Sequence, residues 1–347
     1  MKAAEKKKAN RPRLWIPVMI LLLAVMLFPS CKAAAPYEQT NYVMGSVMQQ
    51  TVYGSSGKNA AAEAYSAAVD MEYMISWKIG TSEISRLNEN AGKEAAELSP
   101  ETASLLMQAL DLSKASNGAF DPTILPLSAL WNFDSNPQHA PEQERIQERL
   151  AFVSADYLKV SENSARLLKE GCGIDLGAAG KGAACDAVIE VYREQGVRAG
   201  VVSVGGSIGV FGRKPDGSDY RIAVRDPAGT LSDTLGYLTI STDAFVSTSG
   251  DYEKFFVENG IKYSHILDSK TGYPAKGEAV SVTVIANGGA VSDMLSTACY
   301  VLGAEKSRSL LENYGAAALF VYPDGEIQAV GDLEFTLTNE DYQVKTP

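Results

Sequence analysis

The order of helix and strand signals along the chain most strongly constrains its fold. Short alternating or apolar segments, typical of strands, are mixed with longer amphipathic segments, typical of helices, and the two kinds do not follow strict strand–helix–strand units. A chain of 347 residues with 46% hydrophobic and 21% charged residues can bury a large core. We therefore predict an α+β fold in which helices pack on a mixed, largely antiparallel sheet.

Individual segments predict the elements of this fold. The Ala-rich segment 59–77 predicts a helix with Val69, Tyr73 and Trp77 at four-residue spacing on one face. Segment 174–196 predicts a short strand, a Gly-rich turn and an amphipathic helix. We predict further helices at 102–116, 143–152 and 290–302, a hairpin between 248–256 and 262–274, and strands at 42–53, 157–160, 165–169, 200–206, 220–225, 236–242, 245–248 and 281–286.

The first thirty residues have the layout of an export signal. Six Lys and Arg residues precede an apolar run from Trp15 to Phe28, and Ser30 stands before Cys31. The run is shorter than the roughly 20 residues that a transmembrane helix needs. Residues 27–31 also resemble the lipobox of bacterial lipoproteins. An ordinary signal peptide with an incidental Cys31 and an uncleaved anchor are the alternatives.

These signals predict the organisation of the whole chain. We expect a signal peptide at 1–30, a lipid-anchor tether at 31–41 and a single folded domain at 42–347. The domain would be exported and held on the outer face of the cell membrane by its lipid.

Composition excludes some classes of function. The net charge of −11 opposes binding to nucleic acid phosphates. Cys172, Cys185 and Cys299 are scattered without metal-type spacing, which predicts that each is a small buried residue. With two histidines in the chain, a zinc site of the usual kind is not expected.

The segment DLGAAGKG at 175–182 is a Gly-rich turn that leads into a helix. Free backbone N–H groups at such a turn hold phosphate oxygens, and Lys181 would add a positive charge. The segment is neither a Walker A motif nor a dinucleotide-binding fingerprint. A tight turn with a surface lysine is the alternative interpretation.

Oxygen-bearing side chains recur on one face of the helix predicted at 290–302. Asp293 and Thr297 are four residues apart, so both could reach one hard cation such as Mg²⁺. A helix cap is the alternative role for Asp293.

The roles of two further groups of titratable residues are open. His265 lies three residues before Asp268, and the two could form an acid/base pair or a structural hydrogen bond. Asp121 precedes a proline, where it could begin a turn or bind a ribose or flavin edge.

Taken together and in order, the motifs resemble the FAD:protein FMN transferases, called the ApbE family. The resemblance covers nearly all of the chain from about residue 42 to residue 303. The matching segments are MGS (44–46), SEISRLN (82–88), AFDPTILPL (119–127), DLGAAGKG (175–182) followed by Asp186, SVGG (203–206), RIAVRDP (221–227), STSGDYEKFF (247–256), YSHILDSKTGYP (263–274) and SDMLSTA (292–298).

The resemblance implies a role for each matched position. Mg²⁺ would be held by the backbone carbonyl of Ala178 and the side chains of Asp293 and Thr297. His265 would assist the reaction, with Asp268 near it. The implied FAD contacts are Met44, Trp77, Ala119, Phe120, Asp121, Asp175, Lys181 and Ile266.

The resemblance also implies the activity. The domain would bind FAD as a substrate and move its FMN half, with Mg²⁺, onto a Thr or Ser hydroxyl of a target flavoprotein, releasing AMP. Two alternatives remain open from the sequence: an FAD pyrophosphatase that uses water as the nucleophile, and a non-catalytic lipoprotein that binds FAD.

Overall fold

The computed structural model describes residues 35–135, 138–230 and 232–345. The first half of the chain contains β1 (Tyr37–Val43), β2 (Ser46–Tyr53), α1 (Gly57–Ile75), α2 (Glu83–Glu89), β3 (Ala96–Glu97), α3 (Pro100–Ala115), α4 (Leu125–Trp131), α5 (Gln143–Leu150), β4 (Leu158–Ser161), β5 (Ser164–Leu167) and α6 (Gly180–Glu194). The second half contains β6 (Ala199–Val204), β7 (Ser207–Gly212), β8 (Tyr220–Arg225), β9 (Thr234–Ile240), β10 (Ala244–Gly250), β11 (Phe255–Glu258), β12 (Ile261–Ser264), β13 (Ser281–Ala286), α7 (Gly289–Leu302), α8 (Ala304–Asn313), β14 (Ala317–Val321), β15 (Glu326–Val330), β16 (Phe335–Leu337) and β17 (Gln343–Val344).

The largest sheet has nine strands in the order β1-β2-β6-β7-β10-β13-β14-β15-β17. Neighbours in it are antiparallel except for β15 and β17, which are parallel. Smaller sheets are formed by β11-β12, by β16-β9-β8 and by β3-β5-β4. The predicted α+β class with a largely antiparallel sheet is confirmed.

Helix α1 packs through alanines. Ala60, Ala61, Ala64 and Ala68 are fully buried in a cluster with residues of α6 and of the sheet. The predicted face of Val69, Tyr73 and Trp77 is wrong, because Tyr73 is 58% exposed. Small side chains allow close packing of helices, so the alanine face is the buried one.

The single strand predicted at 42–53 is a hairpin. Met44 and Gly45 form its two-residue turn, with φ angles of +55° and +65°, as in the type I′ turns that suit the twist of paired strands. The strand predicted before the Gly-rich turn at 177 is also absent. That segment forms one isolated bridge, between Gly173 and Ile124, and therefore belongs to no ladder.

The predicted hairpin between 248–256 and 262–274 is shorter than expected, because its strands are Phe255–Glu258 and Ile261–Ser264 and residues 248–250 belong to β10. The other predicted elements are present within a few residues of their expected bounds. Cys172, Cys185 and Cys299 are buried free thiols, as predicted. Strand β1 begins at Tyr37, so residues 37–41, assigned above to a tether, are part of the sheet. The signal peptide and Cys31 lie outside the described residues. Within the part of the chain that is described, no helix is long and apolar enough to cross a membrane.

Candidate active site

Helices α6 and α7 cap each other's N-termini with carboxylates. Asp293 of α7 accepts a hydrogen bond from the backbone N–H of Gly182 at 3.0 Å. Asp186 of α6 accepts two, from the N–H groups of Gly289 and Ala290 at 2.7 and 2.8 Å. Neither helix has a side-chain cap from its own N-cap residue. Because the first N–H groups of a helix lack internal partners and carry partial positive charge, the two carboxylates stabilise both helix starts.

The two helix starts touch through glycines. A Cβ atom on Gly182 would lie 2.0 Å from the carbonyl oxygen of Gly289, and one on Gly289 would lie 2.2 Å from that of Gly182. No side chain fits at either position. The positive ends of both helices therefore meet at one place, which favours binding of an anion.

The three oxygen donors predicted for a cation belong to the segments that meet here. The Asp293 side chain is buried, and the Thr297 hydroxyl lies 3.2 Å from the hydroxyl of Ser249. The carbonyl oxygen of Ala178 accepts no described backbone hydrogen bond. In the described residues, no group of three or more His, Cys, Asp or Glu could hold a metal. A carboxylate, a hydroxyl and a carbonyl are nevertheless an oxygen set that suits Mg²⁺.

Lys181 supplies positive charge beside Asp293. The Asp293 carboxylate raises the pKa of Lys181 above its ordinary value, and Glu253 adds to this effect against the opposing effect of burial. The stem of Lys181 packs over Gly205, whose Cβ position would be 3.3 Å from the lysine Cδ. Lys181 and Glu253 keep contact with solvent. Lys181, Glu253 and the adjoining starts of α6 and α7 are called the Lys181 site.

His265 is held in the neutral form. Burial and, second, the positive charge of Lys181 lower the pKa of His265 to about 4. Its Nδ1 lies 3.2 Å from the carbonyl oxygen of Lys254. Because a carbonyl oxygen only accepts, Nδ1 carries the hydrogen, and Nε2 is left with a lone pair. His265 is thus able to accept a proton at neutral pH.

Asp268 is bonded within its own turn. Its carboxylate accepts the N–H of Lys270 at 2.8 Å and the hydroxyl of Thr271 at 3.2 Å. None of the described hydrogen bonds joins it to His265, so the expected acid/base pair is not formed in this structure. The turn uses the carboxylate that the pair would need.

The β1–β2 turn brings Met44 to the start of α6. The N–H of Met44 donates to a carboxylate oxygen of Glu72 at 2.9 Å. The Met44 sulfur would lie 3.7 Å from a Cβ on Gly180. Gly205, at the end of β6, lies against Ser46, because its Cβ would be 2.6 Å from the Ser46 hydroxyl. The MGS, DLGAAGKG and SVGG motifs therefore meet, and the predicted contacts of Met44 and Lys181 with FAD stay predictions.

Four other predicted FAD contacts are apolar. Ala119, Phe120 and Ile266 are buried in the largest core cluster. Trp77 packs half-buried against the same cluster, and the Lys78 ammonium lies 5.5 Å from the centre of its ring. The cluster joins them in one region of the fold, while their contact with FAD stays a prediction.

The two predicted acidic contacts shape loops. Asp121 accepts the N–H and hydroxyl of Thr123 at 2.8 and 2.6 Å and the N–H of Ala155 at 3.2 Å. Burial raises the pKa of Asp121 despite these bonds. Asp175 accepts the N–H of Gly177 at 2.8 Å and so supports the Gly-rich turn. In the structure Asp121 forms a turn, which was the alternative interpretation of this residue.

Hydroxyl pairs that the sequence analysis missed fix α7 on β10. Ser247 bonds Ser292 at 2.8 Å, and Ser249 bonds Ser296 at 2.7 Å. The strand serines are two residues apart and the helix serines four, so each pair lies on one face of its element. This matched spacing could have indicated the contact, which holds Asp293 and Thr297 against the sheet.

A cavity of about 290 Å³ lies beside α4 and contains none of the predicted site residues. Its lining includes Leu125, Leu130, Arg145, Arg149 and Cys172. Shape alone would thus point away from the charged Lys181 site, which is identified by its chemistry.

The sequence and the structure of this chain are similar to those of known proteins of one family. The sequence model of the ApbE family matches residues 44–320. The chain is 30% identical to the FAD:protein FMN transferase of Treponema pallidum over 318 residues, which cover 84% of this chain and 86% of that protein. The ApbE protein of Thermotoga maritima has a similar structure, with a TM-score of 0.77 and 30% identity, covering 87% of this chain and 97% of that one. The flavin transferase ApbE of Vibrio cholerae is also similar, with a TM-score of 0.75 and 27% identity, covering 83% of this chain and 93% of that one.

Proposed function

Because the chain belongs to the ApbE family, we propose that it transfers the FMN half of FAD to a Thr or Ser hydroxyl of a target protein and releases AMP. The curated relatives named FAD:protein FMN transferase match across most of its length, which makes it an enzyme of that class. The observation that carries the proposal is the position of Asp293 at the joined starts of α6 and α7, where its carboxylate accepts the N–H of Gly182, the residue next to Lys181.

The Lys181 site supports binding of a diphosphate. Lys181 stays cationic at neutral pH despite its burial, because the Asp293 carboxylate raises its pKa more than burial lowers it. The helix starts at Gly182 and Gly289 add partial positive charge. The diphosphate of FAD would lie here, with its flavin toward the apolar residues Phe120 and Ile266.

The donor set supports a resident Mg²⁺. The Asp293 carboxylate, the Thr297 hydroxyl and the Ala178 carbonyl oxygen would hold the ion. When bound, Mg²⁺ neutralises charge that develops on phosphate oxygens as the diphosphate is cleaved. Lys181 would offset the same charge from the protein side.

Neutral His265 would act as the general base. Its free Nε2 would take the proton of the acceptor hydroxyl as that oxygen forms a bond to the FMN phosphorus. The bond from this phosphorus to the bridging oxygen breaks, and AMP leaves with that oxygen. The products are a flavin joined to the target through a phosphodiester, AMP and a proton that His265 releases to solvent.

We also propose that the chain acts outside the cytoplasm. A signal peptide at 1–30 would direct export of the chain, and lipid on Cys31 would tether the folded domain to the membrane. Exported flavoproteins would then be its targets.

Chromatography of the full chain with FAD, Mg²⁺ and the exported proteins of its source tests the proposal. AMP together with covalent flavin fluorescence on a protein is the expected result. Free FMN with AMP would show a pyrophosphatase, and unchanged FAD a binding protein. Thr297→Val should abolish the Mg²⁺-dependent reaction, while Thr297→Ser, which keeps the hydroxyl, should retain it.

A further inference from the structure

The β1–β2 turn contains a residue in an unfavourable backbone conformation. Met44 has a φ angle of +55°. Among the described residues, the other non-glycine residues with a positive φ are the asparagines Asn117, Asn132 and Asn259. Asparagine tolerates the left-handed region because its short side chain bonds to the local backbone, whereas the Cβ of other L-residues is crowded there. Such a conformation persists only where the surrounding structure fixes it, so neighbouring groups must hold Met44.

A carboxylate of α1 holds this residue. One carboxylate oxygen of Glu72 accepts the N–H of Met44 at 2.9 Å, across 28 residues of chain. The flanking residues Val43 and Ser46 pair with each other, so the N–H of Met44 has no partner within the hairpin. In the described residues, the Glu72 side chain forms no ion pair and has this N–H as its only hydrogen-bond partner. The carboxylate therefore acts on the turn alone.

Packing on the outer face of the hairpin does not fix the turn. Tyr42 and Val47, which lie beside the turn on that face, are 66% and 50% exposed. On the inner face, the partly buried Met44 side chain packs against the largest core cluster and against the cluster that contains the buried alanines of α1. The side chain of Met44 is thus held by apolar contacts, and its backbone is held by Glu72.

The turn lies against the Lys181 site. The Met44 sulfur would be 3.7 Å from a Cβ on Gly180, the residue before Lys181. Ile75, three residues after Glu72 on α1, would have its Cδ1 atom 3.3 Å from the same Cβ. Because residues three apart share a face of a helix, the face of α1 that carries Glu72 also contacts the start of α6. A change at Glu72 would therefore reach the Lys181 site through Met44.

We propose that Glu72 is a positioning residue for FAD: its carboxylate fixes the left-handed turn that places the Met44 side chain against the dinucleotide. The inference rests on the proposed function, because it takes the Lys181 site as the binding site of FAD. A thioether is polarizable and packs well on aromatic rings, so a ring of FAD is a suitable partner for Met44. Glu72 acts through the turn and does not itself contact the substrate.

Glu72→Ala removes the acceptor and tests this role. We expect the Kd and the KM for FAD to rise about tenfold, the effect of losing one charge-assisted hydrogen bond, with kcat at saturating FAD unchanged. Glu72→Gln keeps an acceptor oxygen and should restore most of the affinity. Asp70→Ala, which removes an exposed carboxylate of the same helix, is the matched control and should behave as the wild type. Quenching of FAD fluorescence measures Kd, and the rate of AMP release measures KM and kcat.

A purely structural role predicts different kinetics. If Glu72→Ala only unfolded part of the protein, the amount of active enzyme would fall, so the apparent kcat would drop while the KM for FAD stayed constant. A double-mutant cycle with Met44→Gly separates the two roles further. Glycine adopts a positive φ readily and lacks the side chain that Glu72 positions. In the Met44→Gly background, Glu72→Ala should therefore not weaken FAD binding further.

Three results would overturn the inference while leaving the transferase intact. The first is wild-type affinity for FAD in Glu72→Ala. The second is an equal loss of affinity from Glu72→Ala with Met44 and with Met44→Gly, because Glu72 would then act without the Met44 side chain. The third is a lower apparent kcat at constant KM, which would assign Glu72 to folding alone. A wild-type chain that neither binds nor cleaves FAD in the presence of Mg²⁺ would instead reject the proposed function itself.

Discussion

The Asp186 carboxylate accepts the backbone N–H of Gly289 at 2.7 Å, across 103 residues of chain. The reciprocal bond, from Gly182 to Asp293, makes α6 and α7 mutually dependent at their N-termini. The residue predicted to bind metal is therefore also a cap of the neighbouring helix. The helix cap weighed for Asp293 from the sequence is present, but on the neighbouring helix rather than on its own, and the binding of metal stays a prediction.

Asp186→Ala should lower the free energy of unfolding by about 1–3 kcal/mol, because two N–H groups at the start of α7 lose their acceptor. Urea denaturation measures this. Glu194→Gln, at an exposed position of α6, the helix that carries Asp186, is the control. Its free energy of unfolding should stay within about 0.5 kcal/mol of the wild-type value. Equal stability of the two variants would mean that the cap contributes little.

Gly182→Ala should destabilise the protein by about 1–3 kcal/mol or more and weaken FAD binding, because its Cβ would lie 2.0 Å from the Gly289 carbonyl oxygen. Gly80→Ala meets nothing within 4 Å and serves as the control. Thermal unfolding and quenching of FAD fluorescence measure the two effects. Wild-type values for Gly182→Ala would contradict the close approach of α6 and α7.

His265 makes stability depend on pH in a defined direction. Its pKa is about 4 in the folded protein against 6.5 for the ordinary group. Between these values the unfolded chain binds the proton and the folded chain does not, so the stabilisation is complete above pH 6.5 and is lost as the pH falls toward 4. From pH 7 to pH 5 the wild type should lose about 1–2 kcal/mol more than His265→Gln. Urea denaturation at each pH measures the free energy of unfolding of both proteins. If the two free energies change in parallel with pH, the low pKa of His265 is refuted.

Lys181→Met should raise the pKa of His265, because the charge of Lys181 helps to lower it. The chain has two histidines, so NMR titration resolves each imidazole, and a His139→Gln variant assigns them. The acid limb of the transfer rate should move to higher pH in the same variant. A His265 titration that does not respond to Lys181→Met would place the two groups apart.

Local patterns predicted much of the fold because they depend on neighbouring residues. The helices predicted at 102–116 and 290–302 both lie within two residues of the bounds that the periodicity gave them. The hairpin at Met44-Gly45 was missed because methionine seldom occupies a left-handed position. No helix or strand was predicted beyond residue 303, where α8 and four further strands follow.

Long-range relationships in the site were harder to predict. Glu253 and Ser249 belong to a matching motif, but no role was predicted for either. Glu253 acts on Lys181 and Ser249 contacts Thr297 only because β10 packs on α7. The failed Asp268–His265 pair has the same origin, since three-residue spacing did not reveal the turn that uses the carboxylate. Such contacts depend on how distant segments pack, which cannot be inferred from a single sequence.

Anomalous diffraction from crystals grown with FAD and Mn²⁺, as a substitute for Mg²⁺, tests the central claim most directly. The account predicts a manganese peak in contact with the Asp293 carboxylate, the Thr297 hydroxyl and the Ala178 carbonyl oxygen, with the FAD diphosphate as a further ligand. A peak elsewhere, or a diphosphate bound away from the starts of α6 and α7, would contradict it.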